Sequence, residues 1–141
     1  MSEKLINQDP FLIRLPGEST PSGELHFWEN EELFPEGIKR CFWISGGKEE
    51  ETRGNHAHWK ESQVLVAISG SVVIDIENIN GRKWDFRLSG SGNGLFVPPM
   101  HWVVVHFSHD AVLLGLSDLA FSEADYIRDR NYFGSLQAKN H

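Results

Sequence analysis

The stretch Arg53-Gly54-Asn55-His56-Ala57-His58 puts two imidazoles two positions apart, just ahead of the apolar run Gln63-Val64-Leu65-Val66-Ala67-Ile68. Alternate residues of an extended chain share a face, so His56 and His58 project side by side if this segment is a strand. Such a pair has three uses. It can ligate a metal, it can move protons near neutral pH, or it can be an unreactive part of a half-buried face. Proton transfer needs only a pocket that holds the carbon acid against an imidazole, with no redox cofactor.

The elements that must position this pair read as short β segments separated by Gly, Pro, Ser and Asn. They are 24–29, 38–45, 63–70, 71–78, 83–88, 94–98, 102–107 and 111–117. Regular spacing of short strands predicts an antiparallel sandwich or barrel. Asn78-Ile79-Asn80-Gly81 predicts a hairpin turn, and the Gly/Ser-rich 89–94 predicts a second turn. Near the end, 122–133 reads as a helix, with Ser122 and Asp125 at capping-box spacing. The expectation is an all-β single domain over 1–141: a barrel at about 11–118 and a C-terminal helical segment at about 122–134.

Bulk properties narrow the function classes. A net charge of -7 without a Lys/Arg cluster argues against nucleic acid as partner, while one or two placed arginines can still hold a small anion. Cys41 is the only cysteine, so no intrachain disulfide forms and a cytoplasmic location is expected. Within its apolar segment Cys41 reads as a small buried filler. No apolar run is long enough to span a bilayer, so no membrane partner is expected.

His-x-His opens the two-part cupin metal motif, which continues with a Glu five residues after the second His, a Gly seven further on, and later Pro-x-Gly-x-x-His. Here Gly70 and Pro98 fit, but Gln63 replaces the Glu, Met100 the Gly and Val103 the last His. Two imidazoles and an amide form a poor ligand set for a divalent transition metal. A cupin barrel that works without metal or other cofactor is the better reading.

The chain resembles the sugar 3,4-ketoisomerases acting on dTDP-4-keto-6-deoxyglucose, the WxcM-like or FdtA/QdtA-type cupins. The resemblance is carried by 23–30, 37–45, 94–102 and 107–118, by Arg53-Gly54-x-His56-Ala57-His58 with Gln63, Leu65, Gly70 and Ser71 following, and by Asp125-Tyr126-Ile127-Arg128 with Phe133. It implies a small jelly-roll-type antiparallel cupin barrel, a homodimer with exchanged N-terminal strands, and metal-independent transfer of a keto group from C4 to C3. The implied partner is a dTDP-linked keto sugar, and the implied setting is deoxyamino-sugar biosynthesis.

By the same resemblance His56 and His58 become the acid/base pair. Arg53 becomes a contact to the nucleotide pyrophosphate, and Gln63 a hydrogen-bond donor into the lumen. Phe42 and Trp43, where the best-known members carry a Tyr pair, become apolar walls for sugar or base, with His101 and Trp102 also near the ligand. Val103 stands where several members carry His or Arg, so His101 or His106 is a candidate to take over that role. Ser22 precedes Gly23 where the family commonly has Arg. The alternative is a non-catalytic cupin that binds a nucleotide sugar or other carbohydrate.

Overall fold

The structure, a computed structural model, describes residues 8–48 and 50–140, so the outermost residues of the expected domain lie outside it. Two five-stranded antiparallel sheets face each other. The first has the order β1 (Phe11–Arg14), β9 (Asn93–Val97), β6 (Gln63–Ser69), β11 (Val112–Ser117) and β4 (Arg40–Ile44). The second runs β12 (Tyr126–Ile127), β5 (Thr52–His58), β10 (His101–Phe107), β7 (Ser71–Asn78) and β8 (Lys83–Ser89). A separate hairpin joins β2 (Gly17–Thr20) to β3 (Gly23–His26). This is the expected jelly-roll cupin barrel with one C-terminal helix, α1 (Arg130–Asn140).

Apolar patterning follows what covers each strand. In β7 the alternate residues Val72, Ile74 and Ile76 are buried while Val73, Asp75 and Glu77 are partly exposed, because only the barrel interior covers that strand. In β6 the run Val64 to Ala67 is wholly buried. Leu65 and Ala67 join the interior cluster with Val103, Val105 and Leu113, whereas Val64 and Val66 pack outward under Leu15, Leu33 and Phe34. Each buried Val or Leu side chain contributes about 1.5–3 kcal/mol, so a one-residue slip of β6, which would exchange its two covered faces, is disfavoured.

The end of the chain differs from expectation. Ser122 is extended and makes no side-chain cap; only a 3-10 turn, Glu123–Asp125, follows it. Tyr126 and Ile127 then pair with His58 and Ala57 of β5. The helix starts later, where Asp129 Oδ1 accepts the Asn131 N–H at 2.9 Å, and it docks Phe133 against Trp102, Ala57 and Ile127. Cross-strand pairing and the burial of Phe133 outweigh the local helical signal of 122–133. Cys41 also departs from its predicted role: it is exposed, because β4 is an edge strand that turns Arg40, Phe42 and Ile44 inward and leaves Cys41 and Trp43 facing out. Among the described residues no helix is long and apolar enough to cross a membrane.

Candidate active site

A cavity of about 350 Å³ opens at one end of the barrel, within the size range of small-molecule sites. Its apolar lining is made of Phe42, Ile44, Leu65, Val103, Val105 and Leu113. Its polar groups are Arg40, Arg53, His56, Gln63, Tyr126 and Arg128. A ligand with one apolar edge and several oxygens fits this division.

The turn of backbone that aims His56 is encoded in Arg53-Gly54-Asn55. Gly54 (φ 84°) and Asn55 (φ 56°) both lie in the left-handed region, and the ladder to β10 skips a residue there: Val103 pairs with His56, and Val104 with Gly54. This is a β-bulge, which re-aims the following side chain. A Cβ on Gly54 would come within 2.8 Å of the Val103 carbonyl oxygen, so the close approach requires glycine. His56 and His58 lie on the same face, ring centroids 4.9 Å apart, as the strand period predicts.

The two histidines nevertheless occupy different environments. His56 Nδ1 is 2.9 Å from the Gly54 carbonyl oxygen. A carbonyl only accepts, so Nδ1 carries the hydrogen and Nε2 keeps its lone pair. Burial pushes the His56 pKa below the ordinary imidazole value, more than the Gly54 carbonyl restores. His58 is buried at 7 % exposure and does not line the cavity. Its Nδ1 lies 3.5 Å from Asp125 Oδ2 and 3.9 Å from Glu61 Oε1. Burial first, and the neighbouring His56 second, drive its pKa well down despite Asp125.

Behind the histidines sits a carboxylate layer. Glu61, 2 % exposed, accepts from Arg40 Nη2 at 2.9 Å and from the Gln63 amide. Asp125 accepts the backbone N–H groups of Lys60 (2.9 Å) and Glu61 (3.0 Å), tying β12 to the chain after β5. His58, Glu61 and Asp125 bring ligand atoms within 4.8 Å of one another, but both carboxylates are already engaged and the Arg40 cation lies beside them. The two carboxylates stand beside His58 as charge neighbours rather than as hydrogen-bond partners, and both ring nitrogens of His58 are buried without a hydrogen bond.

Tyr126 completes the site. Its ring centroid is 5.0 Å from that of His56 and 4.3 Å from that of His58. The Arg128 guanidinium stands over its face at 4.1 Å, and its hydroxyl is 3.5 Å from Arg40 Nη2. Arg128 is itself held by Glu123, donating from Nε to Oε1 at 2.8 Å and to Oε2 at 3.2 Å and from Nη2 to Oε2 at 2.9 Å.

Of the residues singled out from sequence, the fold brings Arg53, His56, Gln63 and Phe42 to the cavity and His58 directly behind it. The Phe42 ring lies against Gly115, where an added Cβ would meet it at 2.1 Å. Three others point elsewhere. Trp43, 69 % exposed, is on the outer face of β4. Trp102 faces outward beneath Phe133, ring centroids 5.6 Å apart. His101 is buried at the far end, with Nδ1 2.8 Å from the Pro99 carbonyl oxygen and its ring beside Trp84. His106 pairs with Asp75 at 2.8 Å, outside the cavity, so neither His101 nor His106 replaces Val103. Arg40, Glu61, Asp125, Tyr126 and Arg128 went unassigned from sequence. Asp125, Tyr126 and Arg128 belong to the Asp125-Tyr126-Ile127-Arg128 motif, whose local pattern suggests a helix, and Arg40 to the segment 37–45, but neither stretch by itself marks a site residue.

Comparison with known proteins agrees with this geometry. The chain is 39% identical over 120 residues to the TDP-4-oxo-6-deoxy-alpha-D-glucose-3,4-oxoisomerase of Aneurinibacillus thermoaerophilus, covering 83% of this chain and 84% of that protein. A 3,4-ketoisomerase from Helicobacter canadensis superimposes with a TM-score of 0.85 at 30% identity, over 94% of this chain and 99% of that one. A histidine-to-asparagine mutant of the 3,4-ketoisomerase QdtA from Thermoanaerobacterium thermosaccharolyticum, solved with TDP-4-keto-6-deoxyglucose, gives a TM-score of 0.85 at 28% identity, over 92% and 94% of the two chains. The model of the FdtA family, described as WxcM-like, C-terminal, matches residues 8–138, and the chain belongs to that family.

Proposed function

We propose that the protein is a 3,4-ketoisomerase of a TDP-linked 4-keto-6-deoxy sugar. The observation that carries this reading is the cavity-facing His56, whose Nδ1 is committed to Gly54 and whose Nε2 is free to act as a base. His56 takes the proton from C3, which the adjacent C4 carbonyl acidifies, and an enediolate forms. The same nitrogen then delivers the proton to C4 and leaves a ketone at C3. Arg40 and Gln63, both held by Glu61, line the cavity and keep further N–H donors for the oxygens on which charge develops. His58 acts through its contacts with His56 and Tyr126, which makes it a positioning residue.

Arg53 and Arg128 at the mouth are the groups for the pyrophosphate, and Phe42 is an apolar wall for sugar or base. No metal or organic cofactor takes part in these steps. The lone thiol, Cys41, is compatible with a cytoplasmic enzyme. Exposed Phe11 and Leu12 on the four-residue edge strand β1 support a homodimer in which partners exchange β1, which sedimentation would check by finding twice the chain mass.

Proton NMR of the protein with TDP-4-keto-6-deoxyglucose in deuterium oxide tests the reaction. Loss of the C3 proton with a new 3-keto sugar supports isomerisation. The apolar Val103 and Phe42 in the wall favour a second reading, a cupin that binds the nucleotide sugar without turning it over. Ligand line-broadening without exchange would select that reading.

A further inference from the structure

Moving a ketone from C4 to C3 transfers two protons. One travels between carbons, from C3 to C4. The other travels between oxygens, because the C3 hydroxyl becomes a carbonyl and the C4 carbonyl becomes a hydroxyl. His56 has a single free ring nitrogen and serves the carbons. The oxygens need a group that can both give and take a proton, which a guanidinium and a primary amide do not do. Among the described residues lining the cavity, Tyr126 is the only one with a hydroxyl, and Phe42 on the opposite sheet has none.

We propose that Tyr126 is a further catalytic residue, the group that carries a proton between the two sugar oxygens while His56 carries one between the carbons. This inference rests on the isomerase reading above. As His56 takes the C3 proton, the phenol O–H bond breaks and an O–H bond forms at the C4 oxygen, leaving a neutral enediol and a phenolate. The phenolate then takes the proton of the C3 hydroxyl as the 3-keto carbonyl forms and His56 returns its proton to C4. Imidazole and phenol both end as they began, and no oxidant or reductant is required.

The surroundings of Tyr126 suit a transient phenolate. Its hydroxyl is 3.5 Å from Arg40 Nη2, a distance that tightens when charge develops on the oxygen. Arg40 is fixed from behind by buried Glu61, and Arg128 lies over the ring. The ring touches both histidines, so the phenol and His56 address neighbouring atoms of one ligand. The pairing of Tyr126 with His58 across β12 and β5 sets this relation in the backbone.

The test compares wild type with Tyr126→Phe on TDP-4-keto-6-deoxyglucose in deuterium oxide, following product formation and C3 deuteration of unconverted substrate separately. Product formation is expected to fall by about 10²–10³ with KM nearly unchanged. C3 exchange falls less, because without the phenol His56 can still form the enediolate with Arg40 and Gln63 as donors while the proton shift between the oxygens is lost, so the ratio of exchange to conversion rises by about tenfold or more. Conversion at the wild-type rate, or equal losses of exchange and conversion, overturns the proposal. A wild type that neither exchanges nor converts removes the isomerase reading and this role with it. If the Phe variant fails to fold, 3-fluorotyrosine incorporation replaces it. The chain has two tyrosines, and Tyr132 sits on α1 beside Trp59, away from the cavity. The ratio of exchange to conversion is expected to change with the fluorinated phenol, and an unchanged ratio overturns the role.

Discussion

His56 Nδ1 lies 2.9 Å from the carbonyl oxygen of Gly54, two residues earlier on the same strand. That bond exists because Gly54 and Asn55 bulge out of the ladder, and it decides which imidazole nitrogen is free to face a substrate.

Replacing His56 by Asn removes the base and leaves the strand intact. Turnover is expected to fall by about 10²–10⁴ with unchanged far-UV circular dichroism. His58→Asn, away from the cavity, lowers kcat less than His56→Asn does. Equal losses in the two variants would contradict the division of roles.

Gly54→Ala forces a Cβ to 2.8 Å from the Val103 carbonyl oxygen at a φ that L residues rarely adopt. Stability falls by about 1–3 kcal/mol in urea melts. The chain relieves the clash by shifting the bulge, so kcat drops as well while the affinity for TDP, measured by calorimetry, changes little.

The histidines make stability pH-dependent. His56, His58 and His101 are all held below their ordinary pKa, in each case chiefly by burial. The unfolded chain therefore binds more protons than the folded one below pH about 6.5. Their contribution is fully present above that pH and is lost as pH falls toward the folded pKa values. Asp118 opposes this: burial raises its pKa to about 6, so it favours the fold as pH falls from about 6 toward its ordinary value. Comparing wild type with His58→Asn cancels that background, and the stability lost between pH 7 and 5 should be smaller in the variant by about 1–2 kcal/mol. Activity follows the same logic, with the acid limb of kcat/KM below pH about 6.5 because His56 stays neutral there.

Arg53 is exposed at the cavity mouth, on the strand that carries His56. Arg53→Ala is expected to weaken TDP binding by about 10–100-fold, the worth of a charge-assisted hydrogen bond to phosphate. KM rises while kcat stays nearly constant, because the handle lies remote from the reacting carbons. An unchanged KM would remove Arg53 from the binding site.

Much of this molecule is legible in one dimension. Strand periodicity is local, so the β runs from 63 to 117 and the shared face of His56 and His58 follow from spacing of two. Gly54 and Gln63 belong to the same short stretch and arrive at the cavity with them. What spacing could not supply is which covered face a strand presents. Cys41 and Trp43 sit in an apolar run that looks buried, yet β4 is an edge and its outer side is open.

The polar half of the site comes from residues far apart along the chain. Arg40, Glu61 and Tyr126 meet because β4 lies in one sheet while β12 pairs with β5 in the other. The segment around Tyr126 has helical local preference, and a two-residue ladder to His58 and Ala57, locked by Asp125 and by the docking of Phe133, overrides it. The sequence alone determined an antiparallel β sandwich or barrel with an imidazole pair in an extended segment, because period-two patterning and turn residues act between near neighbours; its cupin form followed from the family resemblance. Only the tertiary structure decided that His56 faces the cavity, that His58 backs it, and that a phenol stands beside both. Those relations rest on long-range pairing and burial, which no local window of residues encodes.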